Sequence, residues 1–253
     1  MFEAILWGLV QGLTEFLPVS SSGHLVLVPA FLGVEPPDLG TSAVLHLGTL
    51  IAVLTYYRRD LVWLLGFRTD ALARRVLGLL IVGTLPAVVL GVLFEQRISQ
   101  LQESTTAVGI ALLFTGAVLY FISAAASGVG DMEKASRTDA LVIGIAQALA
   151  LVPGISRSGM TISAGFLRGL GREQAARFAF LLGVPVILGG GLLQATDLAG
   201  AGNLRPELSI AVLVAAASGY AAIAALIKGL TRWGTRPFAY YCWVVGLAAI
   251  VIL

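Results

Sequence analysis

Two short segments of this chain collect residues that can handle a phosphate. The first reads Gln11-Gly-Leu-Thr-Glu15-Phe-Leu-Pro18-Val-Ser20-Ser21-Ser22-Gly23-His24, and the second Pro153-Gly154-Ile-Ser156-Arg157-Ser158-Gly159. Gln11 and Glu15 stand four residues apart, so a helix sets both on one face. Pro18 ends that helix, and the serines behind it are good N-caps for a new one that continues into Leu25-Val-Leu-Val. The second segment repeats the plan, with Gln147 ahead of a Pro-Gly break and serines before Met160-Thr-Ile-Ser. Open N–H groups at a helix N-terminus, joined by serine hydroxyls, hold phosphate oxygens, and the helix dipole favours negative charge there. The expected phosphate cradle is Gln11, Ser20, Ser22 and Gly23 from one segment and Gly154, Ser156, Ser158 and Gly159 from the other.

Arg157 adds a planar fork of donors that matches phosphate oxygens. A permanent charge in such apolar surroundings needs a partner, and Glu15 can supply it. A diphosphate would repel Glu15, which leads to the expectation of a divalent cation, Mg2+ or Ca2+, with Glu15 among its ligands. His24 lies next to the serines, where an imidazole can act as acid or base. Plainer readings exist for each residue taken singly. The serines can be simple caps, Glu15 and Arg157 a structural ion pair, Gln147 a helix-packing hydrogen bond and His46 a satisfied polar group of the bundle.

These segments sit in a chain of 253 residues that is 58% hydrophobic and only 12% charged, with a mean hydropathy of +0.93. Such a composition excludes an ordinary soluble domain. A net charge of +2 argues against nucleic-acid binding, and the single Cys242 excludes a disulfide framework. The runs 41–57, 76–94, 105–126, 178–196, 208–227 and 237–253 are each apolar enough to be read as a crossing of a bilayer core about 30 Å thick. The N-terminus lacks the basic start of a signal peptide and carries Glu3, Gln11 and Glu15, so it is read as mature structure.

The basic residues fix the sidedness of these spans. Loops holding Arg58, Arg59, Arg68, Arg74 and Arg75, then Lys134 and Arg137, alternate with one holding only Arg97. Arg168, Arg172 and Arg177 follow the segment 140–167, and Lys228, Arg232 and Arg236 lie beyond a loop with Arg205 alone. The alternation is kept only if 140–167 enters and leaves on the cytoplasmic side as a re-entrant hairpin. By the same reasoning, 1–33 is a hairpin from the opposite side. A shift of 136 positions aligns Gly8, Gln11, Leu13, Ser20, Ser22 and Gly23 with Gly144, Gln147, Leu149, Ser156, Ser158 and Gly159. The expected fold is therefore an all-α integral membrane protein with six transmembrane helices and two re-entrant hairpins. Repeat one covers 1–126 and repeat two 140–253, in inverted topology.

On Gln11 to His24, on Pro153 to Gly159 and on His46-Leu-Gly-Thr, the chain resembles the undecaprenyl-diphosphatase family, the bacitracin-resistance phosphatases of bacterial cell-wall synthesis. The resemblance covers most of the chain. It implies hydrolysis of undecaprenyl diphosphate to undecaprenyl phosphate and phosphate, in a multi-pass protein of the bacterial cytoplasmic (inner) membrane. It also implies a pocket open to the outer, periplasmic face. Carried over by position, Glu15, Ser21, His24 and Arg157 fall on the family's functional residues, which makes Ser21 the nucleophile or the group that orients a water and sets His24 and Glu15 in competition for the base; Gln11 falls on a position where many relatives have Glu. The expected partners are the polyprenyl diphosphate, membrane lipids and, as an assembly, a homodimer, with no nucleic acid. The rival expectation is a polyprenyl-phosphate transporter or flippase built on the same inverted repeat.

Overall fold

The computed structural model describes residues 1–101, 104–123, 128–200 and 207–253, with side chains outside Leu39, Glu95, Ser99 and 190–200. The chain is all-helical: α1 Phe2–Phe16, α2 Ser21–Leu32, α3 Leu39–Tyr56, α4 Arg58–Leu65, α5 Ala71–Leu101, α6 Thr105–Ile122, α7 Arg137–Leu149, α8 Arg157–Leu167, α9 Arg172–Gly200, α10 Glu207–Trp233 and α11 Arg236–Ile252. Three of these, over Ala71–Phe94, Thr105–Ile122 and Glu207–Trp233, are long and apolar enough to cross a membrane. The pair Gly40–Tyr56 and Arg58–Leu65 makes a fourth if it counts as one span broken by a 77° bend. α11 is a shorter apolar helix of 17 residues, and α9 runs over Arg172–Gly200.

Several boundaries differ from the sequence reading. Residues 58–75 are not simply a loop, because Arg58–Leu65 form α4. Its turn into α5 is held by Asp70, which accepts from Trp63 Nε1 at 2.9 Å and from the N–H groups of Leu72 and Ala73. The stretch 95–104 is helical as far as Leu101, beyond a kink at Phe94. The third span ends at Ile122. Its expected last residues, Ala124–Ala126, and the outer Arg205 lie outside the described residues.

Large apolar side chains cover much of the bundle's surface, while key polar ones are buried. On α1, Gln11 is fully buried and Glu15 is 7% exposed, whereas Leu9 and Leu13 are each 42% exposed. Leu85, Val88 and Val89 on α5 and Leu213 on α10 likewise face outward. An apolar outer surface, with a few polar side chains buried among apolar ones inside, suits lipid as the surrounding solvent.

Small residues let the helices meet. Gly8 and Gly12 lie against the backbone of α10 at Ala211 and Ala215, and Gly144 of α7 lies against Gly83 of α5. Thus α1 packs on α10 as α7 packs on α5, while α3 packs on α9 and α6 on α11.

Contacts among the basic loops gather them at one end. Arg75 Nη2 donates to Ala135 O at 3.0 Å, Arg177 pairs with Asp60 and Glu133, and Arg172 donates to Leu230 O and Thr231 O. Arg168 Nε meets Asp139 Oδ1 at 2.6 Å. Asp139 lies in the first turn of α7 and Arg168 caps the end of α8, so this pair ties the start of one helix to the end of the next.

Candidate active site

The two proline breaks meet face to face. Each ends one half-helix and opens another with a serine cap. Ser20 Oγ accepts from Gly23 N at 3.3 Å, and Ser156 Oγ from Gly159 N at 3.1 Å. Within each cap the two aligned serines also touch, Ser20 with Ser22 at 3.3 Å and Ser156 with Ser158 at 3.2 Å. A side chain at Gly23 would press on Gly154 Cα, and one at Gly159 on Pro18. The start of each half-helix therefore abuts the break of the other hairpin, and Ser158 Oγ donates across to Leu17 O at 3.1 Å. Both helix starts, each with open first-turn N–H groups, therefore lie at one junction.

Glu15 is the centre of this junction. Its Oε1 accepts from Arg157 Nη2 at 2.8 Å, and its Oε2 accepts from Ser21 Oγ at 2.5 Å and from Gln11 Nε2 at 3.0 Å. The side chains of Glu15 and Arg157 are 6% and 16% exposed, so the pair is screened little by water. Arg157 Nη1 and Gln11 Oε1 are buried without a hydrogen-bond partner. Two groups that want a further acceptor and a further donor or cation are thus left open beside one carboxylate. Among the described residues no three His, Cys, Asp or Glu side chains converge as a metal cluster.

His24 is buried next to the serines, as its position suggests, but it does not reach Glu15. Its Nδ1 lies 2.7 Å from Ser20 O and its Nε2 2.7 Å from Tyr241 Oη of α11, whose ring stacks on the imidazole. Ser20 has φ 69° and ψ 101°, a conformation that a residue with a side chain adopts at a cost of roughly 1–3 kcal/mol. The bond from His24 to Ser20 O is one of the contacts that hold it.

Three residues of this neighbourhood, Thr115, Gly183 and Tyr241, carry no role in the sequence reading, and a fourth, His46, has only a plain one there. His46 is more than a satisfied bundle residue: its Nδ1 is anchored at 2.7 Å on Ser42 O, and its Nε2 faces Glu15 Oε2 at 3.8 Å. The His46-Leu-Gly-Thr motif was its one signal. Thr115 of α6 clamps the second break, donating to Gly154 O at 3.0 Å and accepting from Ser156 N at 3.2 Å. Gly154 itself has φ +91° and leaves no room for a side chain against Val108 O, so glycine is required there. Gly183 of α9 lies directly under the Arg157 guanidinium, where a Cβ would overlap Nη1. Tyr241 carries no pattern that marks it. Gln147 is the reverse case: it aligns with Gln11 and was read as a packing hydrogen bond, yet both its amide atoms are buried without a partner. Its neighbour at the Glu15-equivalent position is Leu151, which has nothing to offer it.

A family model described as bacitracin resistance protein BacA matches residues 4–248. The chain belongs to this family. It is 40% identical to an undecaprenyl-diphosphatase of Methanosphaera stadtmanae, over 100% of this chain and 98% of the relative. An undecaprenyl-diphosphatase of Halothermothrix orenii is also 40% identical, with the same coverage of both chains. That of Desulforudis audaxviator is 42% identical over 99% of this chain and 97% of its own. The family members align along nearly their whole length, both hairpins included.

Proposed function

We propose that this protein hydrolyses undecaprenyl diphosphate to undecaprenyl phosphate and inorganic phosphate, returning the lipid carrier for cell-wall synthesis and conferring bacitracin resistance. The observation that carries the reading is Glu15, held between Arg157 and Ser21 where two helix N-termini abut. Arg157, through its open Nη1, and the N–H groups of both helix starts bind the terminal phosphate. Ser21 Oγ gives its proton to Glu15 Oε2 and attacks the terminal phosphorus in line, and the lipid monophosphate leaves. Glu15 passes that proton to the departing lipid phosphate, then takes one from the water that hydrolyses the phosphoserine and returns it to Ser21 Oγ as inorganic phosphate leaves. The close Ser21–Glu15 bond favours Glu15 over His24 as base, and His24 with Tyr241 holds the serine turn. Gln11, Ser20, Ser22, Gly23, Gly154, Ser156, Ser158 and Gly159 form the cradle.

The residues present fit a divalent cation that takes most of its ligands from diphosphate and water. Gln11 Oε1, open and buried, and Glu15 would hold Mg2+ or Ca2+, which would neutralise charge on the diphosphate.

The membrane arrangement belongs to the same proposal. Six crossings and two re-entrant hairpins form inverted repeats 1–126 and 140–253, supported by the paired packing of α1 on α10 and α7 on α5. The arginine-rich end faces the cytoplasm of a bacterial inner membrane, and the site opens to the outer face. A homodimer is compatible with this arrangement. The two halves contribute unlike groups, Glu15, Ser21 and His24 against Arg157, which suits a catalytic centre better than a symmetric carrier gate. Phosphate release by purified protein from a polyprenyl diphosphate tests the reading. Release that Arg157→Ala abolishes in a folded protein supports it, whereas binding without release points to the transporter.

A further inference from the structure

A cavity of about 310 Å³ lies at the arginine-rich end of the bundle, away from the proline breaks. Tyr56, Tyr57, Asp60, Glu173, Gln174 and Arg177 line it. It is separated from Glu15 by packed rings, since Phe16 stacks edge-on against Phe180 at 5.5 Å and Phe180 approaches Tyr57 at 6.0 Å. Nothing in the phosphatase reading uses it.

The chemistry of its walls selects a cation. Arg177 is already taken by two carboxylates, Asp60 and Glu133, the latter at 2.9 Å. An anion would therefore have to displace one of them. Glu173 is exposed and makes no hydrogen bond or ion pair among the described residues. Two polar atoms here are buried with no partner, Tyr57 Oη and Gln174 Oε1, and Tyr57 as a whole is only 5% exposed. A buried phenol and amide oxygen left open cost stability unless something fills them. A bare metal ion does not fit, because the cavity is about ten times the roughly 30 Å³ share of one water. Moreover, no three acidic, His or Cys side chains converge among the described residues. The tyrosine faces of Tyr56 and Tyr57, 5.0 Å apart between ring centroids, instead suit an organic ammonium.

We propose that this cavity binds a protonated primary amine, whose three N–H donors reach the Glu173 carboxylate, Gln174 Oε1 and Tyr57 Oη. Two sources carry that group at this end of the bundle, the ethanolamine headgroup of a lipid and a free amine such as a polyamine. The test uses the full chain, in detergent for soluble amines and in nanodiscs for lipid. Equilibrium dialysis with labelled ethanolamine or spermidine measures the first source. Retention of labelled phosphatidylethanolamine against phosphatidylglycerol measures the second. Saturable binding in either arm, weakened about tenfold or more by Glu173→Gln as expected for loss of a charge-assisted hydrogen bond, supports the site and identifies its source. Tyr57→Phe should weaken binding less and leave the fold intact by size-exclusion profile. Absence of saturable binding in both arms, or equal binding by wild type and Glu173→Gln, overturns it.

Discussion

Ser21 and Arg157 occupy equivalent positions, the first residue of each second half-helix and 136 residues apart, and both donate to the carboxylate of Glu15. One repeat has placed a hydroxyl at this position and the other a guanidinium. Glu15 has no acidic counterpart, because Leu151 stands at its equivalent. A repeated scaffold thus encloses a single asymmetric centre. If Glu15 is the base, Glu15→Gln keeps the shape of the side chain and removes its basicity. Phosphate release should then fall by about 10²–10⁴-fold, with the protein still eluting as a folded species.

The ion pair also predicts a stability pattern. Arg157→Ala leaves Glu15 buried and unpaired, which should cost roughly 3–5 kcal/mol. The double variant Glu15→Gln with Arg157→Ala should recover part of this. Thermal unfolding in detergent measures both. A double variant no more stable than Arg157→Ala would show that the carboxylate finds another partner.

Gly183 offers a way to displace Arg157 without removing it. A methyl group there overlaps Nη1, so Gly183→Ala should push the guanidinium aside. A misplacement of this size lowers the rate by about 10²-fold. The expected result is a reduced kcat with an unfolding temperature close to wild type.

Tyr241 is expected to act through His24. Tyr241→Phe removes the hydroxyl from His24 Nε2 and should lower activity less than His24→Ala does. In the double variant the two effects should not add, because the residues share one contact. Additive losses in kcat would place Tyr241 in a separate role.

The base of the second hairpin should be acid-sensitive. Burial raises the pKa of Asp139, but the N–H and hydroxyl of Ser136 and the guanidinium of Arg168 outweigh it and hold the carboxyl below its ordinary range. A depressed acid stabilises the fold above its unfolded-state pKa, and that contribution fades as pH falls through the lower folded value. Arg168 is partly exposed, so the clamp contributes about 1 kcal/mol or less. Asp139→Asn should therefore lower the unfolding temperature by a few degrees near neutral pH, and the difference from wild type should shrink in acid.

The membrane character, the two proline-broken segments, their serine caps, the shared helix face of Gln11 and Glu15 and the need of Arg157 for an acidic partner are all legible in the sequence. The reason is that each rests on local physics. Hydropathy sets the rods, proline and serine set the breaks, and a buried charge demands a partner of opposite sign. Packing, by contrast, sets which groups touch across distant segments. It turned His24 toward Tyr241 and away from Glu15, brought His46 of α3 to 3.8 Å from that carboxylate, and laid Arg157 over Gly183. It also left Gln147 without the hydrogen bond its position suggested, and the structure shows the extent of α4 inside an arginine-rich loop. None of these follows from spacing, because each depends on how two helices are rotated about their own axes when they pack. The opening pair shows the division most clearly: the repeat aligns Ser21 with Arg157, but only the meeting of the two proline breaks puts both on one carboxylate.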